Sequence, residues 1–338
     1  MKIAVVGAGA IGGLVGAQLA LAGEDVTLIV RGATLQAIRE HGLRFTGMDG
    51  VEQRVTRLLA TNDYREAGPQ DLVILAVKAH QLDAVADPLQ DLLGPETPIV
   101  TMQNGIPFWY FHRHGGPHEG RVVQSVDAPV PLARRISPER IIGCVVYPAA
   151  ELRAPGVIHH VEGNRLPVGE LDGSASARVQ RISECFARAG FKAPVLTDIR
   201  SEIWLKLWGN LTFNPISALA HSTLVDICED PLGRDLAANM MREAQDVARQ
   251  LGIEMRVPLE KRIAGAAKVG AHKTSMLQDI EAGRAPEIDA LVGAVVELAR
   301  LCGTPTPHID AVYALVSLLA RRMAESGGSV RLQPVAPV

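Results

Sequence analysis

The chain opens on a short apolar run, Ile3-Ala4-Val5-Val6, which stops at Gly7. Small and apolar residues then recur at helical spacing up to Gly23, a helix stop, and residues 24–30 form a second strand-like run. The reading is strand, helix, strand. Residues 42–59 alternate between apolar and polar and carry Gly47 and Gly50, which predicts a hairpin or strand pair. Residues 71–77 are a nearly continuous apolar run, as in a parallel strand covered on both faces, and 98–102 repeat the pattern. Further strands are expected at 121–130, 141–147, 156–161 and 165–169, antiparallel and completing the sheet edge. A helix is expected at 178–189, and residues 193–198 close this half.

From Ile199 the texture is helix after helix. Asp230 before Pro231 is an N-cap and first-turn pair, and Gly252 is a helix stop. Helices follow at about 257–268, 274–283, 286–302 and 307–325. The change of texture divides the 338 residues into an α/β domain at 1–198, an all-helical domain at 199–326 and a loose tail at 327–338.

Composition narrows the partners. A net charge of −3 and 4% aromatic residues offer neither a basic face nor a stacking platform for nucleic acid. No apolar run reaches the length of a membrane span. Cys144, Cys185, Cys228 and Cys302 form no Cys-x-x-Cys pair and read as reduced thiols of a cytoplasmic protein. His112, His114 and His118 lie close together, but no carboxylate or cysteine pattern completes a metal site, so no metal is expected.

The first strand-to-helix junction reads Gly7-Ala8-Gly9-Ala10-Ile11-Gly12, a Gly-x-Gly-x-x-Gly turn. Gly7 permits the turn, Gly9 lets the backbone approach a pyrophosphate, and Gly12 lets helix and strand pack closely. The helix N-terminus adds free N–H groups and a positive dipole end. A secretory leader would also show an early lysine and small apolar residues, but the strand at 24–30 supplies the context of a βαβ unit. Where an NAD-binding strand commonly ends in an acid, this one ends in Arg31, which suits a 2′-phosphate and favours NADP(H). Lys78 and Gln81 follow the strand at 71–77, and Asn104 follows the strand at 98–102. Ligands of open α/β sheets bind at such strand ends, so Lys78 and Gln81 are placed to touch the cofactor; Asn104, donor and acceptor at once, could meet the nicotinamide, its ribose or the substrate, or simply serve an Asn-Gly turn.

In the helical half, Lys206, Asn210 and Asn214 are spaced i, i+4, i+8 in an otherwise apolar segment ended or kinked by Pro215. One helix face therefore carries an ammonium and two amides. A lysine beside a carbonyl substrate can donate a proton as hydride arrives. Ser275 could bind a substrate carboxylate. Glu287, in a first helical turn after Pro286, suits either catalysis or simple helix-dipole stabilisation.

These motifs together resemble the ketopantoate reductase (2-dehydropantoate 2-reductase) family over nearly the whole chain. The resemblance rests on Gly7-x-Gly9-x-x-Gly12, Arg31, Lys78-Ala79-x-Gln81, Gln103-Asn104-Gly105, Lys206-x3-Asn210-x3-Asn214-Pro215, and Ser275-Met276-Leu277-Gln278-Asp279 followed by Glu287-Ile288-Asp289. It implies a Rossmann-type domain plus an all-α domain like the C-terminal part of 6-phosphogluconate dehydrogenase. It implies NADPH-dependent reduction of a small-molecule 2-oxo acid, ketopantoate, on the way to pantothenate and coenzyme A. Lys206 would be the general acid and Glu287 the hydrogen-bonding partner of a substrate hydroxyl. Asn210, Asn214 and Ser275 would bind substrate, and Lys78 and Asn104 the cofactor, in a cleft between the domains. Leu224, His272 and Val292 stand where members of the family carry asparagines, so the reductase chemistry is better supported than the substrate. A dehydrogenase of another hydroxy acid, since Lys-x3-Asn after a Rossmann domain also resembles the β-hydroxyacid dehydrogenases, and a non-catalytic NADP(H)-binding protein are the alternatives. The apolar C-terminal helices suit a homodimer interface or the completion of the core.

Overall fold

The computed structural model describes residues 1–127 and 129–333. The first strand, β1 (Lys2–Val6), is buried from Ile3 onward and lies inside a seven-stranded sheet. It pairs in parallel with β2 (Asp25–Ile29) on one side and with β6 (Leu72–Leu75) on the other. Between these come β3 (Leu43–Thr46), β4 (Glu52–Val55) and β5 (Leu59–Thr61); β7 (Ile99–Thr101), β8 (Ile141–Cys144), β9 (Ala149–Ala154), β10 (Val157–Glu162) and β11 (Val168–Glu170) follow. The order in the large sheet is β11-β8-β7-β6-β1-β2-β5. The chain thus leaves β1 toward one edge and returns to the other side of β1, a topological switch point where open α/β sheets bind ligands.

The run at 121–130 is not a strand: its described residues form a 3₁₀ turn at Gln124–Val126 and bends, with residue 128 outside the described set. The strands after β7 do not simply add antiparallel pairs to the edge. β8 continues the parallel sheet, with Ile99 opposite Ile141, and only β11 runs antiparallel beside it. β10 leaves for a second sheet, β4-β3-β10-β9, where it lies parallel to β3 and antiparallel to β9. The expected hairpin at 42–59 is the β3–β4 pair of this sheet.

The helix α1 (Ala10–Leu21) explains why a second sheet is needed. It is apolar around its whole circumference, a pattern that requires cover on both sides. A Cβ on Gly16 would meet Leu28 of β2 at 2.6 Å, and one on Gly13 would meet Ile158 of β10 at 2.5 Å. The two glycines let the helix fit between the sheets. The helix α2 (Gly32–His41) follows β2.

The chain divides into two units. One comprises Met1–Gln103, Phe108–Val122 and Asp127–Ile199; the other comprises Asn104–Pro107, Val123–Val126 and the chain from Arg200. The helical unit is organised on the helix Pro231–Gln250, which packs against Leu259–Lys268, Ala294–Cys302 and Pro307–Ser326. Asp230 caps its start by accepting from the Gly233 N–H at 2.6 Å. The helix Ile199–Ala220 buries Trp204 and Trp208 completely, and the Trp208 indole donates to the Met241 carbonyl at 2.7 Å. Pro215 does not end this helix: it sits inside it, and the helix runs on to Ala220. What Pro215 removes is the N–H that would have reached the Leu211 carbonyl.

Candidate active site

The turn after β1 has the shape its glycines predict. Gly7 adopts φ +98°, and a Cβ there would meet Val77 at 2.7 Å. A Cβ on Gly12 would stand 1.8 Å from the Gly7 carbonyl oxygen, so helix and strand can come this close only at glycine. Gly9 is different: a Cβ there would meet nothing within 4 Å. The open space lies over the N-terminus of α1, with Ala10 and Ile11 in its first turn and Ala8 buried beneath. This cradle fits a dinucleotide pyrophosphate, which needs an approachable backbone with unpaired N–H groups.

Arg31 is the exposed N-cap residue of α2, after β2. Tyr64 lies near it: burial pushes the phenol up, and the Arg31 charge opposes that shift. A guanidinium at a helix N-terminus suits a phosphate monoester. Beyond β6, the Lys78 N–H donates to the Gln81 carboxamide oxygen at 3.2 Å, so Gln81 holds the 3₁₀ turn Ala79–Gln81. Gln103, which the sequence reading singled out only as part of a motif, donates from Nε2 to the Leu75 and Val77 carbonyls, each at 2.9 Å. It ties the ends of β6 and β7 together. A glutamine directly after an apolar strand was the available signal.

In the helical unit three expected residues, far apart in sequence, form one chain. The Lys206 ammonium donates to the Asn104 carboxamide oxygen at 2.6 Å, and the Asn104 Nδ2 donates to a Glu287 carboxylate oxygen at 3.3 Å. All three are partly buried. Asn104 thus bridges the Lys206 ammonium and the Glu287 carboxylate. An amide is suited to this: its oxygen accepts from a cation while its nitrogen donates to an anion. Asn210 and Asn214 lie on the Lys206 face of the same helix, half-buried and buried respectively. Ser275 is the exposed first residue of the helix Ser275–Glu281, whose cap is Thr274, accepting from the Leu277 N–H. The three take no part in the Lys206–Asn104–Glu287 chain. Leu224 and His272 adjoin, the Leu224 N–H donating to the His272 carbonyl at 3.1 Å.

Glu287 is followed by a feature that the sequence reading did not find, a π turn at Asp289–Gly293 leading into the helix Ala294–Cys302. The histidines at 112–118 go elsewhere: His112 meets Glu139 at 3.1 Å, and the His118 ring packs against Phe111. Among the described residues no group of three or more potential ligands could hold a metal ion, and no helix is long and apolar enough to cross a membrane.

Comparison with known proteins follows the same division. Residues 3–173 match the family model described as ketopantoate reductase PanE/ApbA, and residues 198–320 match its C-terminal counterpart. A 2-dehydropantoate 2-reductase of Mesorhizobium japonicum is 53% identical over 321 residues, 95% of this chain and 98% of that one. A crystal structure of a candidate ketopantoate reductase from Ralstonia solanacearum superposes with a TM-score of 0.90 at 43% identity, covering 95% of this chain and 98% of the other. The ternary structure of D-mandelate dehydrogenase with NADH and anilino(oxo)acetate matches with a TM-score of 0.82 at 25% identity, covering 96% and 99%.

Proposed function

This chain belongs to the ketopantoate reductase family, and from that premise we infer that it reduces 2-dehydropantoate to pantoate, a step toward pantothenate and coenzyme A. The observation that carries the inference is the hydrogen-bonded chain Lys206–Asn104–Glu287, which pairs a proton donor with a carboxylate through one amide. NADPH, when bound, supplies the hydride that reaches C2 of the oxo acid. The Gly7–Gly12 turn and the N-terminus of α1 would hold its pyrophosphate, Arg31 its 2′-phosphate, and Lys78 would lie beside it at the end of β6.

Lys206 does the acid's work. As C2 takes up two electrons its oxygen becomes an alkoxide, and the ammonium both stabilises that charge and delivers the proton. The Asn104 carbonyl fixes where the ammonium points. Glu287 accepts from Asn104, and as a carboxylate it can accept from a substrate hydroxyl as well. Asn210, Asn214 and Ser275 are assigned to the remaining polar groups of the substrate, Ser275 to its carboxylate. We read the enzyme as cytoplasmic, where its nicotinamide donor is kept reduced. We read it as a homodimer, with Leu315 and Leu318 of the last helix, 57% and 52% exposed, giving a second copy an apolar face to cover.

The test is NADPH oxidation at 340 nm with 2-dehydropantoate and a panel of other 2-oxo acids, bulkier and aromatic ones included. Lys206→Met should lower kcat by about 10²–10⁴-fold, the usual worth of a positioned proton donor. Glu287→Gln should act mainly on KM for substrates with a hydroxyl. Turnover confined to another oxo acid would keep the mechanism and replace the substrate. Tight NADPH binding without turnover of any acid would make this a nucleotide-binding protein.

A further inference from the structure

The two short segments that group with the helical unit, Asn104–Pro107 and Val123–Val126, are both held by the continuous stretch of π turn and helix from Asp289 to Cys302. Glu297 of Ala294–Cys302 accepts from the Gln124 and Ser125 N–H groups at 2.8 Å each and from the Ser125 hydroxyl at 2.6 Å. The other segment is held differently. In the π turn the Ala294 N–H donates to the Asp289 carbonyl. In an α-helix it would donate to Ala290. The Ala290 carbonyl has lost that donor, and the Ile106 N–H takes the place at 2.9 Å.

Gly105 makes the approach possible. It adopts φ +84°, and a Cβ there would lie 2.1 Å from the Ala290 oxygen and 2.5 Å from its carbonyl carbon, both backbone atoms that cannot rotate away. Asn104 is the next residue back, and Glu287 lies just before the π turn. The backbone of Gly105 and Ile106 thus docks on the turn that directly follows the segment carrying the Glu287 carboxylate. The turn is braced in its own right: the Tyr313 hydroxyl donates to Asp289 at 3.1 Å, and a Cβ at Gly293 would meet that hydroxyl at 2.9 Å.

We propose that the π turn Asp289–Gly293 is the positioning element of the active site: its released Ala290 carbonyl anchors Gly105-Ile106 and thereby holds Asn104 in bridging distance of Lys206 and Glu287. Gly105 is a positioning residue that acts through Asn104. π turns are uncommon and cluster at functional sites because they give up regular helical bonding; here the carbonyl given up by the helix is the one the loop uses. The proposal rests on the reductase reading for its kinetic part and on geometry alone for the anchoring.

The test is a double-mutant cycle between Gly105→Ala and Asn104→Ala. An Asn104 displaced by an ångström or more loses its bridge, so Gly105→Ala should lower kcat by about 100-fold with the Kd for NADPH unchanged within twofold. If Gly105 acts through Asn104, the double variant is no slower than Asn104→Ala alone. Glu297→Gln loosens the other segment on the same helix and should leave kcat within twofold of wild type. Hydrogen exchange of the wild-type enzyme, which needs neither substrate nor variant, should show the Ile106 amide protected like those of Ala294–Cys302. An unchanged kcat in Gly105→Ala, losses that multiply in the double variant, or Ile106 exchanging at loop rates overturns the proposal. Wild-type enzyme that does not turn over 2-dehydropantoate refutes the functional reading instead, and the exchange measurement still decides the anchoring.

Discussion

Gly9 and Gly12 belong to one turn, yet replacing each with alanine should have separable consequences. Real Cβ atoms essentially never come within 3.0 Å of a neighbour, and the one added at Gly12 would lie 1.8 Å from the Gly7 oxygen. The start of α1 and the end of β1 must therefore part by the difference, about 1.2 Å. Overpacking of this kind costs about 1–3 kcal/mol, which lowers Tm by about 2–4 °C per kcal/mol in a unit of this size. The same displacement carries the phosphate-binding N–H groups out of bonding range. Two charge-assisted bonds at about 1.5–3 kcal/mol each amount to a loss of about 10²–10⁴-fold in NADPH affinity. At Gly9 the added Cβ meets nothing. The unliganded protein should lose at most about 1 kcal/mol, through the weaker N-cap. NADPH affinity should still fall, because the methyl group occupies the space a pyrophosphate needs. NADPH fluorescence titration gives the Kd and thermal unfolding of the unliganded protein gives Tm. A Gly9→Ala protein that binds NADPH within threefold of wild type would remove the pyrophosphate from this turn. A Gly12→Ala protein with unchanged Tm would refute the packing argument.

Arg31→Asp should exchange cofactor preference, weakening NADPH by 10-fold or more while leaving NADH unchanged or improved; a parallel loss of both would deny Arg31 the 2′-phosphate. Burial pushes the Glu24 carboxyl up, but the Met1 ammonium and Arg188, at 2.7 Å, override it and hold it below its ordinary value of 4.5. A depressed carboxylate adds stability that is full above its unfolded pKa and is lost as pH falls through the folded one. Glu24→Gln should therefore lower stability at neutral pH and flatten its fall below about pH 5, read from urea unfolding across pH. Cys144, Cys185 and Cys228 are buried, and burial pushes the Cys185 thiol up to about 12. Dithiobis(nitrobenzoate) at pH 8 should label the native protein at Cys302 alone, and slowly, since burial raises that thiol too.

Local sequence determined a great deal about this protein. The Gly7–Gly12 turn, the parallel strands β1, β2, β6 and β7, the helical half and its caps follow from spacing, because glycine geometry, a period of two or 3.6, and capping are properties of a few adjacent residues. Lys206 and Glu287 stood out for a related reason: an ammonium in an apolar helix and a carboxylate right after Pro286 are conspicuous within their own segments, although Glu287 proves to precede the helix rather than lie in its first turn. What joins them did not stand out. Asn104 follows a strand and reads as a contact to cofactor or substrate or as a plain turn residue, and only the fold brings it to Lys206, 102 positions away. The second sheet was hidden too, since strand pairing depends on partners distant in sequence; an all-round apolar α1 hinted that cover was needed without saying what supplied it. The π turn is furthest from the sequence. Nothing in Asp289-Ala290-Leu291-Val292-Gly293 departs from an ordinary helical pattern, because whether Ala294 donates to Ala290 or to Asp289 is a matter of backbone carbonyls, and a backbone carbonyl leaves no trace in side-chain identity.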